Sequence, residues 1–257
     1  PELPEVEVVR QFLDTNIVGK TITHLEVLNP KSFIGNPDQL KHQPIIGTSR
    51  LGKQLSLHLK NGLILLFHLK MTGQIIFGAS VWGHPTPKED KSHLPNKSTR
   101  LVFTFSDQTK MYFNDQRKFG WVKLFTPDQL TQFQQSIGLD LLDPKFTPAY
   151  FYRQLQSSRR PVKSVLLDQN KFAGVGNIYD NDALFLSQIN PQTPANQLTF
   201  SQAKLLRSHL IKLIKESIAH GGSTAKDNKY VRPDGSFGQH QYHFRVYQRQ
   251  GEPCSVC

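Results

Sequence analysis

LSLHLKNGLILLFHLK, Leu55 to Lys70, alternates Leu55, Leu57 and Leu59 with polar residues, turns at Asn61-Gly62 and enters a second apolar run. A period of two is the mark of a half-buried strand, and Asn-Gly between two such runs is the strongest short hairpin signal. RLVFTFSDQTKMYFND, Arg100 to Asp115, repeats the plan with a polar turn at Ser106 to Lys110. Between the hairpins, Gly78 to Arg100 is rich in Gly, Pro, Lys and Ser and reads as a long mobile loop. Ahead of them, Pro4 to Leu13 reads as a helix, with Val6, Val9 and Leu13 on one face and Pro4 suited to a first turn. The first half is therefore β-rich behind an N-terminal helix.

The second half changes period. Ala149 to Gln156 and Val162 to Gln169 read as helices, and another begins near Ile178 after the break GVGN. Thr199 and Gln202 form a capping box for a long helix whose Leu206, Leu210 and Leu213 share a stripe, and Gly221-Gly222 ends it. The segment around GLDLLDPKFTP reads as a linker. The expected class is α+β and multidomain. A β-rich unit spans residues 1–130, a linker 131–146, a helical unit 147–239, and a short appendage 240–257.

The chain has 257 residues, enough for two cores. Its 31 Lys+Arg outweigh 20 Asp+Glu, a formal net charge of +11, and such an excess favours an anionic partner, nucleic acid first and a membrane surface second. No apolar run approaches the roughly 20 residues of a membrane span, and no basic region leads into an apolar stretch as in a signal peptide. The only cysteines, Cys254 and Cys257, sit together at the end. That is no disulfide framework and points to a reducing cytosol.

The chain opens PELPEVEVVR, Pro1 to Arg10. An α-amino group titrates near pH 8, about two units below lysine, so much more of it is the nucleophilic free base at neutral pH. A secondary amine that attacks a sugar aldehyde carbon gives an iminium that stays cationic, an electron sink suited to elimination. Glu2 is the nearest proton shuttle. Glu5 and Glu7 lie where the helix dipole favours carboxylates, and helix-end electrostatics alone accounts for Glu7.

These features resemble the formamidopyrimidine-DNA glycosylases. The resemblance covers nearly the whole chain, in order: PELPEVE at the terminus, RLGKQL with Lys53, FHLKMTG with Met71, DQRKFG with Arg117 and Phe119, LLDQNKFAGVGNIYDNDALF with Asn177, then HGGST and VYQRQGEPCSVC. It implies an N-terminal β-sandwich with an N-terminal helix, a helical domain with a helix–two-turn–helix, and a zinc-binding hairpin, here truncated. It implies a base-excision repair enzyme, a monomer in the cytoplasm, that removes 8-oxoguanine and formamidopyrimidines from duplex DNA and cleaves the abasic strand by β- and δ-elimination.

On that resemblance Pro1 attacks the sugar carbon bearing the damaged base, Glu2 protonates the ring oxygen, Glu5 supports the terminus, and Lys53 holds a phosphate. Met71, Arg117 and Phe119 fill the space that the extruded base leaves. His68, Lys97, Arg100, Asn177 and Tyr179 are the further DNA contacts. Gly222, Ser223 and Thr224 open a segment over the extruded base, with Lys229, Tyr230 and Arg232 as candidates to touch it. The residues alone leave other readings open: Lys53 as a surface lysine at a strand end, Met71 and Phe119 as core, His68 as a hydrogen-bonded core histidine, Asn177 as an ordinary N-cap.

The chain departs from the family in two places. A histidine-containing stretch near the end of the 78–100 loop reads NKSTR, which would move a phosphate contact to Lys97 or Arg100. The family's zinc site uses two Cys-x-x-Cys pairs, and here only Cys254 and Cys257 are present, with His240 and His243 as conceivable substitutes. Zn2+ is thus expected of a complete member and not of this sequence as it stands. Two rivals remain: an endonuclease VIII-like enzyme for oxidised pyrimidines, opposed by Leu3, and a lesion-binding relative without catalysis, opposed by Pro1 and Glu2.

Overall fold

In a computed structural model the described residues are 1–78, 93–224 and 229–257. Helix α1 (Leu3–Asn16) leads into β1 (Thr21–Val27), β2 (Phe33–Ile34), β3 (Gln43–Leu51), β4 (Gln54–Leu59), β5 (Ile64–His68), β6 (Gly73–Phe77), β7 (Thr99–Phe105), β8 (Lys110–Asp115) and β9 (Trp121–Phe125). These strands follow the order β2-β9-β5-β4-β3-β1-β7-β8-β6. The sheet folds on itself at the short β1–β3 pairing, which holds only Thr21 opposite Pro44 and Ile22 opposite Gln43. Two leaves result, and Phe67 of β5 meets Phe103 of β7 and Phe113 of β8 across the core at ring separations of 5.9 and 6.3 Å. This is the sandwich.

The Leu55–Lys70 stretch forms the β4–β5 hairpin, with Leu55 opposite Phe67 and Leu57 opposite Leu65. Gly62 takes the positive φ, and the Asn61 side chain accepts the Leu63 N–H at 3.1 Å. Strand β5 is apolar on both faces for a reason. Leu65 and Phe67 enter the sandwich core, while Ile64 and Leu66 pack under Leu130 of α2 (Pro127–Gln134). Helix α2 thus carries the β-rich unit past residue 130. The expected loop at 78–100 lies mostly outside the described residues. Its described end turns at Asn96, whose side chain accepts the Ser98 N–H at 2.8 Å.

The helical half holds α3 (Pro148–Gln156), α4 (Val162–Leu166), α5 (Asn177–Leu186) and α6 (Phe200–Ala219). The Thr199–Gln202 capping box is formed in both directions, and Leu206, Leu210 and Leu213 are buried. Helix α4 stops three residues short of the expected Gln169, because the N–H groups of Lys171 and Phe172 turn back to the Asp168 carbonyl. The stretch read as a linker is anchored: β10 (Leu139–Asp140) pairs in parallel with β11 (Phe172–Ala173), and Leu141 and Phe146 are buried in the helical core. Beyond α6 the chain makes turns, and no strand occurs there among the described residues. Asp182 of α5 holds this segment, accepting the N–H groups of Arg245, Val246 and Tyr247 at 2.9, 2.9 and 3.2 Å. Among the described residues, no helix is long and apolar enough to cross a membrane.

Candidate active site

The start of α1 lies across the turn before α5. Leu3 belongs to the helical core rather than the sandwich, and its N–H donates to the Gly174 carbonyl at 3.3 Å. Gly174 has φ +108°, and a Cβ there would lie 2.4 Å from Leu3 Cδ1. One step on, Gly176 leaves room for the Glu2 carboxylate, which accepts the Ile178 N–H at 3.0 Å. The N-terminus of α5 thus receives Glu2, as helix N-termini receive anions. Asn177 is exposed and is the first residue of α5, and Gly176 is the N-cap, so the ordinary N-cap reading of Asn177 fails.

Glu5 locks the terminus from the other side. One of its oxygens accepts the Glu2 N–H at 2.9 Å. The other accepts the Tyr179 hydroxyl at 2.8 Å and the Ser223 N–H at 2.9 Å. A cleft of about 560 Å³ opens here, lined by Pro1, Glu2, Glu5, Lys53, His68, Met71, Arg117, Asn177, Ser223, Lys229 and Tyr230. Sequence-predicted residues from both halves of the chain, among them Pro1, Glu2, Lys53, Arg117 and Asn177, are therefore brought together.

Electrostatics in the cleft are unusual. Burial pushes the Glu2 carboxyl up to about 7, with Glu5 adding to the rise and Lys53, the Ile178 N–H and the terminal amine opposing it. A carboxyl that exchanges its proton near neutral pH is what general acid and base work requires. Burial, with Lys70, Lys53 and the terminal amine nearby, takes His68 down to about 3. His68 Nδ1 accepts the Lys70 N–H at 3.1 Å, so the neutral ring presents Nε2–H as a donor. The ring also packs on Trp121 at 5.6 Å.

Two loops form the opposite wall. Met71 sits in the β5–β6 turn and is 61% exposed; Phe119, in the loop after β8, is 55% exposed. Neither is core. The Arg117 guanidinium lies over the Phe119 ring, 4.9 Å from its centroid. Asp115, fully buried, ties the loops together. It accepts the Thr72 hydroxyl, the Arg117 N–H at 3.2 Å and the Gly120 N–H at 2.6 Å.

Residues 1–122 match the formamidopyrimidine-DNA glycosylase N-terminal domain, and residues 137–229 match the formamidopyrimidine-DNA glycosylase H2TH domain. The chain belongs to the formamidopyrimidine-DNA glycosylase family. A formamidopyrimidine-DNA glycosylase of Wolbachia pipientis wMel is 34% identical over 261 residues, covering 100% of this chain and 92% of that protein. The crystal structure of the MutM (Fpg) protein from Thermus thermophilus superposes with a TM-score of 0.87 at 34% identity, over 100% of this chain and 91% of that one. A structure of MutM in complex with carbocyclic 8-oxo-G containing DNA gives a TM-score of 0.85 at 32% identity, again over 100% and 91%. The first of these relatives is by name a DNA glycosylase, and this chain is an enzyme of the same family.

Within this formamidopyrimidine-DNA glycosylase fold several sequence-predicted residues take other places. Tyr179 is wholly buried beneath the cleft, its hydroxyl shared by Glu5 and Ser217, so it braces Glu5 and cannot reach DNA. Arg100 is buried, and its Nε donates to the Asp115 carbonyl at 2.8 Å, so its guanidinium serves the loop wall; Lys97 is exposed. Gly222 and Thr224 are buried behind Ser223; Thr224 accepts the Gly238 N–H at 2.8 Å. Tyr230 is buried at the cleft edge, with its hydroxyl on the Gly221 carbonyl at 3.2 Å. Arg232 lies over Gly221, away from the cleft lining.

The family's zinc ligands are not matched. Cys254 and Cys257 are exposed, and among the described residues no three His, Cys, Asp or Glu side chains could hold a metal. His240 and His243 instead stack with His220 at the end of α6, at ring separations of 5.5 Å for His240 and 4.1 Å for His243. They do not complete a cysteine site.

Sequence reasoning also passed over Arg50. It bridges Glu7 at 2.8 Å and Asp140 at the junction of the two halves, and donates to the Gly52 carbonyl at 2.9 Å. Glu7 is therefore an ion-pair partner held below its ordinary range by Arg10 and Arg50 against the effect of burial, not a helix-end charge alone. Gln169, which holds the GVGN turn through Gly174 N–H at 3.0 Å and the Val175 carbonyl at 2.9 Å, carried no motif signal on its own.

Proposed function

We propose that this enzyme excises oxidised purines, 8-oxoguanine and formamidopyrimidines, from duplex DNA and then cleaves the abasic strand through a Schiff base at Pro1. The observation that carries the reading is Pro1 and Glu2 in one cleft with Lys53, where Glu2 titrates near neutral pH.

In this mechanism the Pro1 nitrogen attacks C1′ of the damaged nucleotide. The Glu2 carboxyl donates its proton to the ring oxygen as the C1′–O bond breaks, and the base departs. The C1′ iminium then acidifies the C2′ proton, and Glu2, now ionised, removes it. Expulsion of the 3′ phosphate is the β-elimination; a second proton loss and expulsion of the 5′ phosphate is the δ-elimination. Lys53, neutral His68 and the exposed Asn177 at the start of α5 are the phosphate ligands. Met71, Arg117 and Phe119 enter the duplex where the base has left, with Arg117 facing the orphaned partner. Ser223 and Lys229 face the extruded base, and Lys97 contacts flanking phosphate. The enzyme acts as a cytoplasmic monomer in two domains, the β-sandwich and the helical domain. No step runs through zinc.

Borohydride reduction during reaction with an 8-oxoguanine duplex tests this. A covalent adduct at the Pro1 nitrogen is expected, and a methionine retained ahead of Pro1 should abolish it. An adduct at Lys53 would overturn the assignment.

A further inference from the structure

Strand β6 buries a polar side chain on a face that is otherwise apolar. Side chains alternate along a strand, so while Ile75 enters the sandwich core, Gln74 and Ile76 lie on the opposite face. That face is the outside of the sandwich, yet Gln74 and Ile76 are 2% and 0% exposed. The segment Lys229–Pro233, which follows α6, runs beside β6 and covers it. Gln74 Nε2 donates to the Lys229 carbonyl at 3.0 Å, Val231 packs with Ile76, Val102 and Tyr112, and the Phe77 N–H donates to the Pro233 carbonyl at 2.9 Å.

Stability does not account for an amide here. Gln74 Oε1 is buried and has no hydrogen-bond partner among the described residues. The same is true of Nδ2 of Asn114, which lies opposite Gln74 in the β6–β8 ladder. An apolar side chain of the same length would avoid that cost. What it could not do is hold the Lys229 carbonyl. Lys229 lines the cleft, and so does Tyr230, whose side chain is buried in the sandwich core. Met71, in the turn that leads into β6, lines the cleft as well. One strand thus carries the Met71 turn at its start and the Lys229 wall along its outer face.

We propose that Gln74 is a positioning residue for lesion recognition: by holding the Lys229 carbonyl, it fixes the cleft wall that faces the extruded base to the strand that presents Met71 to the duplex. The proposal rests on the reading of Lys229 as a residue that faces that base. Base reading and duplex insertion then share one frame, the sandwich, although the wall segment departs from the helical domain. An abasic site has no base to read, so cleavage there does not need this wall in place.

The test is Gln74→Met in the full chain, which keeps the length of the side chain and removes the amide. Single-turnover excision of 8-oxoguanine should fall about five- to tenfold, the weight of one hydrogen bond, while cleavage of the same duplex with a ready-made abasic site stays within about twofold of the parent. A ratio of the two rates equal to the parent's overturns the proposal, whatever the melting temperature does. Asn114→Ala removes the Thr99 hydroxyl's bond at 2.8 Å in the same patch and leaves the Lys229 carbonyl held. It should lower the melting temperature with the ratio unmoved; a ratio shifted as in Gln74→Met would show a general effect of the patch and also overturn the proposal. Hydrogen exchange gives an arm free of any lesion. The amides of residues 230–232 should exchange faster in Gln74→Met, with α6 unchanged, and unaltered exchange at 230–232 overturns the anchor. If the parent fails to excise 8-oxoguanine, the function proposed above falls, and the exchange still decides whether Gln74 holds the segment.

Discussion

A Cβ added to Gly176 would lie 2.1 Å from the Cδ of Glu2. Glycine at this position is what lets the carboxylate reach the start of α5, and no rotamer of an alanine methyl avoids the contact. Gly176→Ala should therefore displace Glu2 while leaving both hydrophobic cores intact. A misplacement of about 1 Å can cost on the order of 100-fold in rate. Excision should fall by about that factor with little change in duplex affinity. Near-normal excision in this variant would show that Glu2 need not sit where the Ile178 N–H holds it.

The Glu2 carboxyl also sets a pH dependence of stability. Its folded-state affinity for a proton, at about 7, lies above the ordinary value of 4.5. The folded protein then binds more protons than the unfolded chain between these values, so stability is lost as pH rises through that window. Glu2→Gln removes the ionisation and should stabilise the protein at pH 8, by up to about 3 kcal/mol, since a tenfold difference in proton affinity is about 1.4 kcal/mol. The gain should vanish below about pH 4.5. Urea melts of the two proteins at pH 4.5 and pH 8 would reveal it, and a gain independent of pH would contradict the burial of this charge.

Met71 and Phe119 expose 61% and 55% of their surfaces, so truncation removes little buried area. Met71→Ala and Phe119→Ala should each shift stability by no more than about 0.5 kcal/mol, as surface substitutions do. Lesion-duplex affinity should fall clearly in both, and Arg117→Ala should blunt discrimination of the base opposite the lesion. A loss of about 2–5 kcal/mol in stability, the range of a core truncation, would restore the core reading for that residue.

The parts of this fold written in short-range pattern were legible. The Asn61-Gly62 hairpin and the Thr199–Gln202 capping box depend on residues within a few positions of one another. Hubs were not. Asp115 takes its role from Thr72, which is remote in sequence, and Arg50 from Asp140 at the far side of the junction. Tyr179 was misplaced for a geometric reason. Two residues along a helix from Asn177 is about 200° around it, so the motif neighbour of an exposed residue faces the core. The anchored segment at 138–148 reads as a linker from its turn residues Gly138, Pro144 and Pro148, because the helical residues that bury Leu141 and Phe146 lie far along the chain.

Cys254 and Cys257 supply two of the four ligands that a closed structural zinc shell takes. The N–H groups of Cys257 and Val256 lower the proton affinity of the Cys254 sulfur, but two sulfurs make no cage. Metal analysis of the purified 257-residue chain should find well under one zinc per molecule after brief chelation. Its melting temperature should not respond to the chelator, because the cores lie elsewhere. One zinc retained per chain would mean that ligands outside this pair complete the site.

The Arg50 hub offers the sharpest test of how the two halves are joined. Its side chain is 6% exposed, and its partners Glu7 and Asp140 are 11% and 10% exposed. Removing the cation leaves Glu7 with Arg10 as its ion-pair partner and Asp140 with the N–H groups of Gly52 and Leu142 alone, and breaking a buried pair of this kind costs about 3–5 kcal/mol. Arg50→Ala should lose that much at pH 7. With the cation present, the folded protein holds Glu7 below its ordinary range, so that contribution to stability exists above the unfolded value of 4.5 and is lost as pH falls. Without Arg50, only Arg10 opposes the effect of burial on the same carboxyl, so less of that stability remains to be lost. The gap between parent and variant should therefore narrow as pH falls from 7 toward 4, and Glu7→Gln should cost less in the Arg50→Ala background than in the parent. Activity should suffer as well. Asp140 accepts the Gly52 N–H at 2.7 Å and Arg50 donates to the Gly52 carbonyl, so the turn that presents Lys53 to the cleft is held from both sides by this hub. A pH-independent stability loss with unchanged excision would mean that Arg50 contributes packing alone.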